Sequence, residues 1–227
     1  MKNIVVIGSS RGIGKALVSI LSKNNNVLAL SRNIDKLSSF SDTKNVTVSK
    51  FDVSSDSSKE NLTDLIQNTF KSVDVLINNA GLLVNKSVLD ITKEDIDISY
   101  KTNVFGLIQS CQATIPFMEQ NGGHIVNIGS MGGFQGSSKF PGLSVYSSSK
   151  AAVASFTECL AEELKDTQIK ANCLALGAAQ TEMLEEAFPG YEAPLSANEM
   201  AEFIADFSLN SSKWINGKVL PISVSTP

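Results

Sequence analysis

Tyr146 and Lys150 stand four residues apart in "YSSSKAAVASFTECLAEEL", at the start of a helical pattern, so their side chains share one helix face. An ammonium beside a phenol favours the phenolate and pulls the tyrosine below its reference pKa of about 10, toward proton exchange near neutrality. The plainer reading is an amphipathic helix start with an exposed lysine, because Y-x-x-x-K is common by chance. Hydride transfer to a carbonyl needs a proton donor and something to stabilise the developing alkoxide. Ser130 closes the strand pattern "IVNIGS", and neighbouring parallel strands end at one sheet edge, so its hydroxyl can hold a substrate oxygen beside Tyr146. Asn103, in "YKTNVFG", falls mid-helix where asparagine is a poor helix former, which marks a polar role or a satisfied buried amide.

A second chemistry begins in "NIVVIGSSRGIGKALVSIL", where an apolar run meets Gly8, Gly12 and Gly14 and a helical pattern follows. Glycines permit positive φ and bring backbone N–H groups close to an anion at a helix N-terminus. The spacing G-x-x-x-G-x-G differs from the usual dinucleotide G-x-G-x-x-G. It also fails the nucleotide-hydrolase loop, which wants glycine at Ser9 and a Mg²⁺-binding hydroxyl where Ala16 follows Lys15. Phosphoryl transfer is disfavoured; a dinucleotide turn and a plain glycine bend remain.

The second strand sharpens the choice. NAD binders often place a carboxylate there for the ribose 2′-hydroxyl, but "NVLALSRN" presents Ser31 and Arg32. Two like charges about 4 Å apart cost roughly 4 kcal/mol at an effective dielectric of about 20, so a carboxylate would repel a 2′-phosphate. Arg11, Arg32 and Ser31 instead offer charge-assisted donors, and NADP(H) is expected over NAD(H), unless both arginines are merely solvated. Asp52, in "FDVS", can accept from an adenine amino group or cap a helix. Ala80 and Gly81, in "NNAG", leave room for a flat ring or ribose against the backbone, or make an ordinary turn.

Other chemistries are hard to build. The one histidine, His124, opens a strand in "GGHIVNIGS" and reads as structural, outside any nucleophile-elbow context. Cys111, Cys159 and Cys173 lie far apart with no CxxC pair; they read as small buried hydrophobes in a reducing compartment, and no metal site is expected. Nineteen lysines and arginines against 23 aspartates and glutamates leave a net charge of −4, with no footprint for nucleic acid or an anionic membrane. The N-terminal apolar run is too short for a signal h-region or a membrane span, so a cytoplasmic location is expected.

The elements that position these residues alternate along the chain. Strand patterns fall at 3–7, 26–30, 46–51, 73–77, 124–128, 169–176 and 218–223, and helical patterns at 12–23, 56–70, 93–120, 147–165 and 196–208. Several strands are apolar without alternation, as strands buried on both faces are. The expectation is an α/β fold: a doubly wound, Rossmann-like parallel sheet of about seven strands with helices on both faces, one domain over 1–227. The least regular stretches, 129–145 and 177–195, follow strands, and ligands of open parallel sheets bind beyond the carboxyl ends of strands. Residues 177–195 are the expected substrate loop.

Taken in order, "GSSRGIG", "FDVS", "NNAG", "KTNVFG", "IVNIGS", "YSSSK" and "LGAAQT" resemble the short-chain dehydrogenase/reductase family in its single-domain form, over essentially the whole chain. The resemblance implies Tyr146 as acid/base, Lys150 as the residue that holds the nicotinamide ribose and lowers the tyrosine pKa, and Ser130 as the group that orients and polarises the carbonyl. It implies that Asn103 anchors a water linking Lys150 to solvent. It implies a cofactor shell of Gly8, Ser10, Arg11, Gly12, Ile13, Gly14, Ser31, Arg32, Asp52, Val53, Asn79, Ala80, Gly81, Tyr146, Lys150, Gly177 and Thr181 around NADP(H). Related proteins pair through the Tyr146 helix and the one at 100–120, which implies a homodimer or homotetramer.

The chain departs from the family pattern at Ile7, where Thr or Ser is usual, and at Leu176-Gly177, where Pro-Gly is usual. The segment from Ser130 to Tyr146 is a few residues longer than is usual in the family, which admits Ser137 and Ser138 as rivals to Ser130; the tail "PISVSTP" is atypical. The expected function is NADP(H)-dependent hydride transfer between the nicotinamide and a small-molecule carbonyl or secondary alcohol. The expected wall (Leu82, Leu83, Met131, Phe134, Phe140, Met183, Leu184, Phe188, Tyr191) is mostly apolar, and 177–195 holds no lysine or arginine, so an uncharged or largely apolar substrate is expected. The competing class is an NADP-sensing binding protein without turnover, which the intact Ser130–Tyr146–Lys150 set opposes. A nucleotide-sugar epimerase or dehydratase would need a larger C-terminal substrate region.

Overall fold

The non-alternating apolar runs become the strands of one sheet. The computed structural model describes residues 1–224. Strands β1 (Asn3–Ile7), β2 (Asn26–Ser31), β3 (Val46–Lys50), β4 (Val75–Asn78), β5 (Gly123–Ile128), β6 (Ile169–Leu176) and β7 (Val219–Ile222) pair in parallel in the order β3-β2-β1-β4-β5-β6-β7. Helices α1 (Gly12–Leu21), α2 (Ser58–Thr69), α3 (Lys93–Tyr100), α4 (Gly106–Thr114), α5 (Ser144–Glu163), α6 (Glu182–Ala187) and α7 (Ala197–Asn210) connect them. Residues 225–227 of the atypical tail lie outside the described residues.

Period-two alternation sorts each strand between two cores. Ile4 and Val6 of β1 join Leu17 and Val18 of α1 and Met200 and Ile204 of α7 on one face. Val5 and Ile7 join Leu62 and Ile66 of α2, Leu107 of α4, and Val153 and Leu160 of α5 on the other. Each fully buried aliphatic side chain contributes about 1.5–3 kcal/mol. Both faces being covered is why these strands read as continuous apolar runs.

The register brings the strand ends to one edge. Ile7 lies opposite Leu30 and Asn78, and Asn78 opposite Asn127. Gly8, Arg32, Asn79 and Ser130 therefore emerge side by side.

Two expectations are corrected. The single helix expected over 93–120 is broken: a capping box of Thr92 and Asp95 starts α3, residues Lys101–Phe105 widen into a π turn, α4 follows, and Pro116 sits in a closing 3₁₀ turn over Ile115–Phe117. At the end of the π turn, Gly106 lies where a Cβ would stand 2.1 Å from the Val53 carbonyl, so the helix needs glycine there to approach β3's loop. The loop expected over 177–195 contains α6 and a pair of two-residue strands, Ala179–Gln180 with Leu195–Ser196. Thr181 caps α6 by accepting from the Leu184 N–H at 3.2 Å. Among the described residues no helix is long and apolar enough to cross a membrane.

Candidate active site

A cleft of about 480 Å³ runs along the carboxyl edge of the sheet. Following the strand order, Ser31, Arg32, Asp52 and Val53 line it after β2 and β3, the glycine turn and Asn79–Gly81 after β1 and β4, and Ser130 and Gly177 after β5 and β6. Ser10, Arg11, Gly12, Ile13, Tyr146, Lys150 and Thr181 also line it.

The glycine turn is open because glycine is needed. Gly8 has φ +85 and Gly12 φ +50, and a Cβ on Gly8 would stand 2.6 Å from the Ala80 backbone. Gly14 is different: it does not line the cleft. A Cβ there would fall 2.0 Å from the Gly8 carbonyl and 2.6 Å from Asn79 Nδ2, so its smallness lets α1 pack on the end of β1. Asn79 Nδ2 donates to that same carbonyl at 2.8 Å.

At the other end, Lys150 is buried and its Nζ donates to the Ile128 carbonyl at 2.8 Å. Burial lowers its pKa to about 8, with the nearby Cys173 opposing. Nζ lies 6.0 Å from the Tyr146 ring centroid. Tyr146 stays partly open to the cleft, but desolvation raises its pKa above the phenol value, and the Ser130 hydrogen bond only partly counters that. The direction is opposite to the one the Y-x-x-x-K spacing predicts, because burial disfavours the charged phenolate. Ser130 also accepts from the Gly132 N–H at 3.2 Å. Its rival Ser137 is committed to the Met131 and Phe134 carbonyls, and neither Ser137 nor Ser138 lines the cleft.

Asn103 sits in the π turn, behind the cleft and not in its lining. Its Oδ1 accepts from the Leu82 N–H at 2.8 Å, and its Nδ2 donates to the Leu82 carbonyl and to Ser149 Oγ, each at 2.9 Å. A Cβ on Gly81 would stand 3.5 Å from Lys150 Nζ and 3.6 Å from Asn103 Oδ1, so Gly81 keeps the space between them open. π turns recur at functional sites because they re-aim a side chain.

At the cofactor end, Asp52 accepts from both the amide (2.9 Å) and hydroxyl (2.7 Å) of Ser54. Partial burial opposes its ionisation, but Ser54 and the charge of Arg32 hold its carboxyl below the usual range. Arg11 makes a two-pronged pair with Glu186 of α6 and is held charged by it first, then by Glu182. Of the expected apolar wall, Leu83, Met131, Phe140, Met183, Leu184, Phe188 and Tyr191 line the cleft; Leu82 and Phe134 do not, and Leu143 joins it.

His124 is buried between Ser208 and Asn172. Asn172 Oδ1 accepts from the Lys218 N–H and its Nδ2 donates to the Ile215 carbonyl, so Nδ2 must also be the donor to His124 Nε2 at 3.0 Å. The ring is therefore neutral with its proton on Nδ1, given to the Ser208 carbonyl, and burial lowers its pKa to about 4. Cys111 and Cys173 are buried, but Cys159 is exposed on α5, against the expectation for all three. Four contributors escaped sequence reasoning: Glu182, Glu186, Ser149 and Lys36. The acid-rich "EMLEE" was a visible signal for the first two; the others are placed by tertiary packing alone.

A family model described as short chain dehydrogenase matches residues 2–192. An uncharacterized oxidoreductase of Staphylococcus aureus (strain N315) is 30% identical over 220 residues, covering 95% of this chain and 94% of that one. One of Staphylococcus epidermidis is 28% identical over 219 residues, with 95% and 94% covered. Among solved structures, ElxO with NADP bound superposes with a TM-score of 0.86 at 27% identity, covering 98% of this chain and 97% of that one. A chain described as a ribose-5-phosphate isomerase from Brucella melitensis 16M gives 0.88 at 28% identity, covering 97% and 90%. The chain belongs to the short-chain dehydrogenase/reductase family, whose members use NAD(P), and is an oxidoreductase of that family.

Proposed function

We propose that the protein is an NADP(H)-dependent carbonyl reductase, or the reverse alcohol dehydrogenase, acting on an uncharged, largely apolar substrate with Tyr146 as its proton donor. The observation that carries this is the convergence of Ser130, Tyr146 and buried Lys150 on the lining of one cleft, with Lys150 Nζ 6.0 Å from the Tyr146 ring centroid. The isomerase description of one structural neighbour makes the point that a shared fold does not fix the chemistry; the side chains must.

The cleft suits a dinucleotide phosphate. Added Cβ atoms at Gly8 and Gly12 would collide or crowd, and the donors Ser10, Arg11, Ser31 and Arg32 gather at its β2 end. NADP bound to the structural relative ElxO supports the same choice. A bound nicotinamide would supply the hydride for reduction, or accept it in the reverse direction. Ser130 holds the substrate oxygen. Tyr146 gives its phenolic proton to that oxygen as it takes up negative charge, and recovers a proton from solvent. Its raised pKa keeps it protonated, as reduction requires. Lys150, its Nζ 6.0 Å from the Tyr146 ring centroid, steadies the phenolate left behind.

Tyr146→Phe is expected to lower carbonyl reduction by about 10²–10⁴-fold while NADPH binding, followed by cofactor fluorescence, persists. An unchanged rate refutes the assignment, and a wild type inert toward a broad carbonyl library favours the sensing-protein alternative. kcat/KM is expected to be higher with NADPH than NADH, with Arg32→Asp narrowing the gap. Free cysteines suit a reducing cytoplasm. Exposed Ile98 and Phe105, and the small exposed residues Ala151 and Ser155 of α5, support a homodimer or homotetramer, which sedimentation would test.

A further inference from the structure

Helix α6 is strapped on both sides. Asn85 Nδ2 donates to the Ala187 carbonyl at 2.8 Å, and the Glu186 carboxylate takes both terminal nitrogens of Arg11, one contact at 3.0 Å. Arg11 is the extended residue immediately before α1, so the pair joins the glycine turn to the helix over the cleft. Glu186 is held below the usual carboxylate range first by Arg11, with Lys36 adding to it. Lys36 lies four residues past Arg32, in the 3₁₀ turn after β2. The carboxylate of α6 thus stands among the cations of the β1 and β2 loops. Arg11 is one of the groups to which the proposed function gives the 2′-phosphate. An isolated surface pair would mean little, but this one is two-pronged and Arg11 is a residue of the cleft lining.

We propose that Glu186 is a specificity-determining residue: it and the cofactor's 2′-phosphate compete for Arg11, so the phosphorylated cofactor unlatches α6 and the unphosphorylated one leaves it latched. The inference rests on the NADP(H) reading above. Linkage makes the effect reciprocal: if the 2′-phosphate weakens the latch, the latch weakens 2′-phosphate binding by the same factor. The alternative, Arg11 bridging both anions, has the opposite sign, because removing Glu186 would then loosen the arginine the phosphate needs.

The test uses the full-length protein and two probes that lack the nicotinamide, 2′,5′-ADP and 5′-AMP, titrated calorimetrically. Glu186→Gln is expected to tighten 2′,5′-ADP by about two- to five-fold, the range of a surface ion pair, and to leave 5′-AMP unchanged. In an Arg11→Met background the same substitution is expected to do nothing, since the cycle isolates the pair. Hydrogen exchange over 182–190 is expected to rise with NADPH and not with NADH. Unchanged or weaker 2′,5′-ADP binding in Glu186→Gln, or equal shifts for both probes, overturns the competition. If wild type binds the two probes equally, the NADP(H) reading itself fails and the competition fails with it, so the two failures are told apart.

Discussion

Lys150 donates to the Ile128 carbonyl at 2.8 Å, tying the start of α5 to the end of β5 two residues before Ser130. Only 4% of its surface is exposed, and burial brings its pKa to about 8 from 10.5. The unfolded chain therefore keeps this proton up to about pH 10.5 while the folded chain gives it up near 8. Between those values the unfolded state binds more protons, and this group makes stability rise with pH.

Lys150→Met separates function from stability. At pH 7 the buried ammonium opposes folding by about 3 kcal/mol on the scale of its shift, and methionine removes that charge at similar volume. The variant is expected to resist denaturant at pH 7 at least as well as wild type, while reduction falls at least about 10²-fold. The rise in wild-type stability between pH 8 and 9 is expected to vanish in the variant. Above that window Cys111 and Cys173, raised by burial to about 12 and about 11, pull the other way. A loss of stability at pH 7 that matches the loss of turnover would make Lys150 a structural residue.

Asn103 ties the loop after β4 to α5 through Leu82 and Ser149. Asn103→Ala leaves the Leu82 N–H and carbonyl without that partner, at about 1–3 kcal/mol for each group that stays buried. Thermal unfolding is expected several degrees lower, and KM for the carbonyl substrate higher, because the adjacent Leu83 lines the cleft. An unchanged melting temperature would show that water replaces the amide without cost.

Local patterns carried most of the scaffold. The runs at 3–7 and 169–176 are strands over those residues, because burial on both faces leaves an unmistakable apolar stretch. Asn103 was visible as a misfit in a helix, and the misfit is a π turn, but the turn also depends on Gly106 meeting Val53, a contact no local spacing encodes. Arg11 lay in plain view between glycines, whereas its partner Glu186 is 175 residues away. The tyrosine pKa went the other way from the Y-x-x-x-K argument because spacing reports the neighbouring charge and not the depth of burial.

Gly14 tests a packing role against a binding role. A Cβ there meets the Gly8 carbonyl at 2.0 Å, which cannot be relieved by rotating a side chain. Gly14→Ala is expected to cost about 1–3 kcal/mol through overpacking, or about 2–4 °C of melting temperature for each kcal/mol in a chain of this size. Scanning calorimetry checks it. An intact melting temperature with lost cofactor binding would return Gly14 to the cofactor shell.

His124 makes the fold sensitive to acid. Its surface is 2% exposed, and burial takes its pKa from 6.5 to about 4. The unfolded chain takes up this proton near pH 6.5 and the folded chain only near 4. Protons therefore favour the unfolded state between those values, and stability falls as pH falls through the window, by about 3 kcal/mol in full. His124→Gln keeps a donor for the Ser208 carbonyl and an acceptor for Asn172 without a titrating group. Denaturant unfolding at pH 7, 5.5 and 4.5 is expected to show wild type losing stability relative to this variant at each step. Because the chain has one histidine, the difference between the two curves isolates this group from the carboxylates that titrate nearby. Parallel curves would mean that the ring protonates in the folded state as readily as in the unfolded one, and that the Ser208 and Asn172 contacts do not hold it neutral.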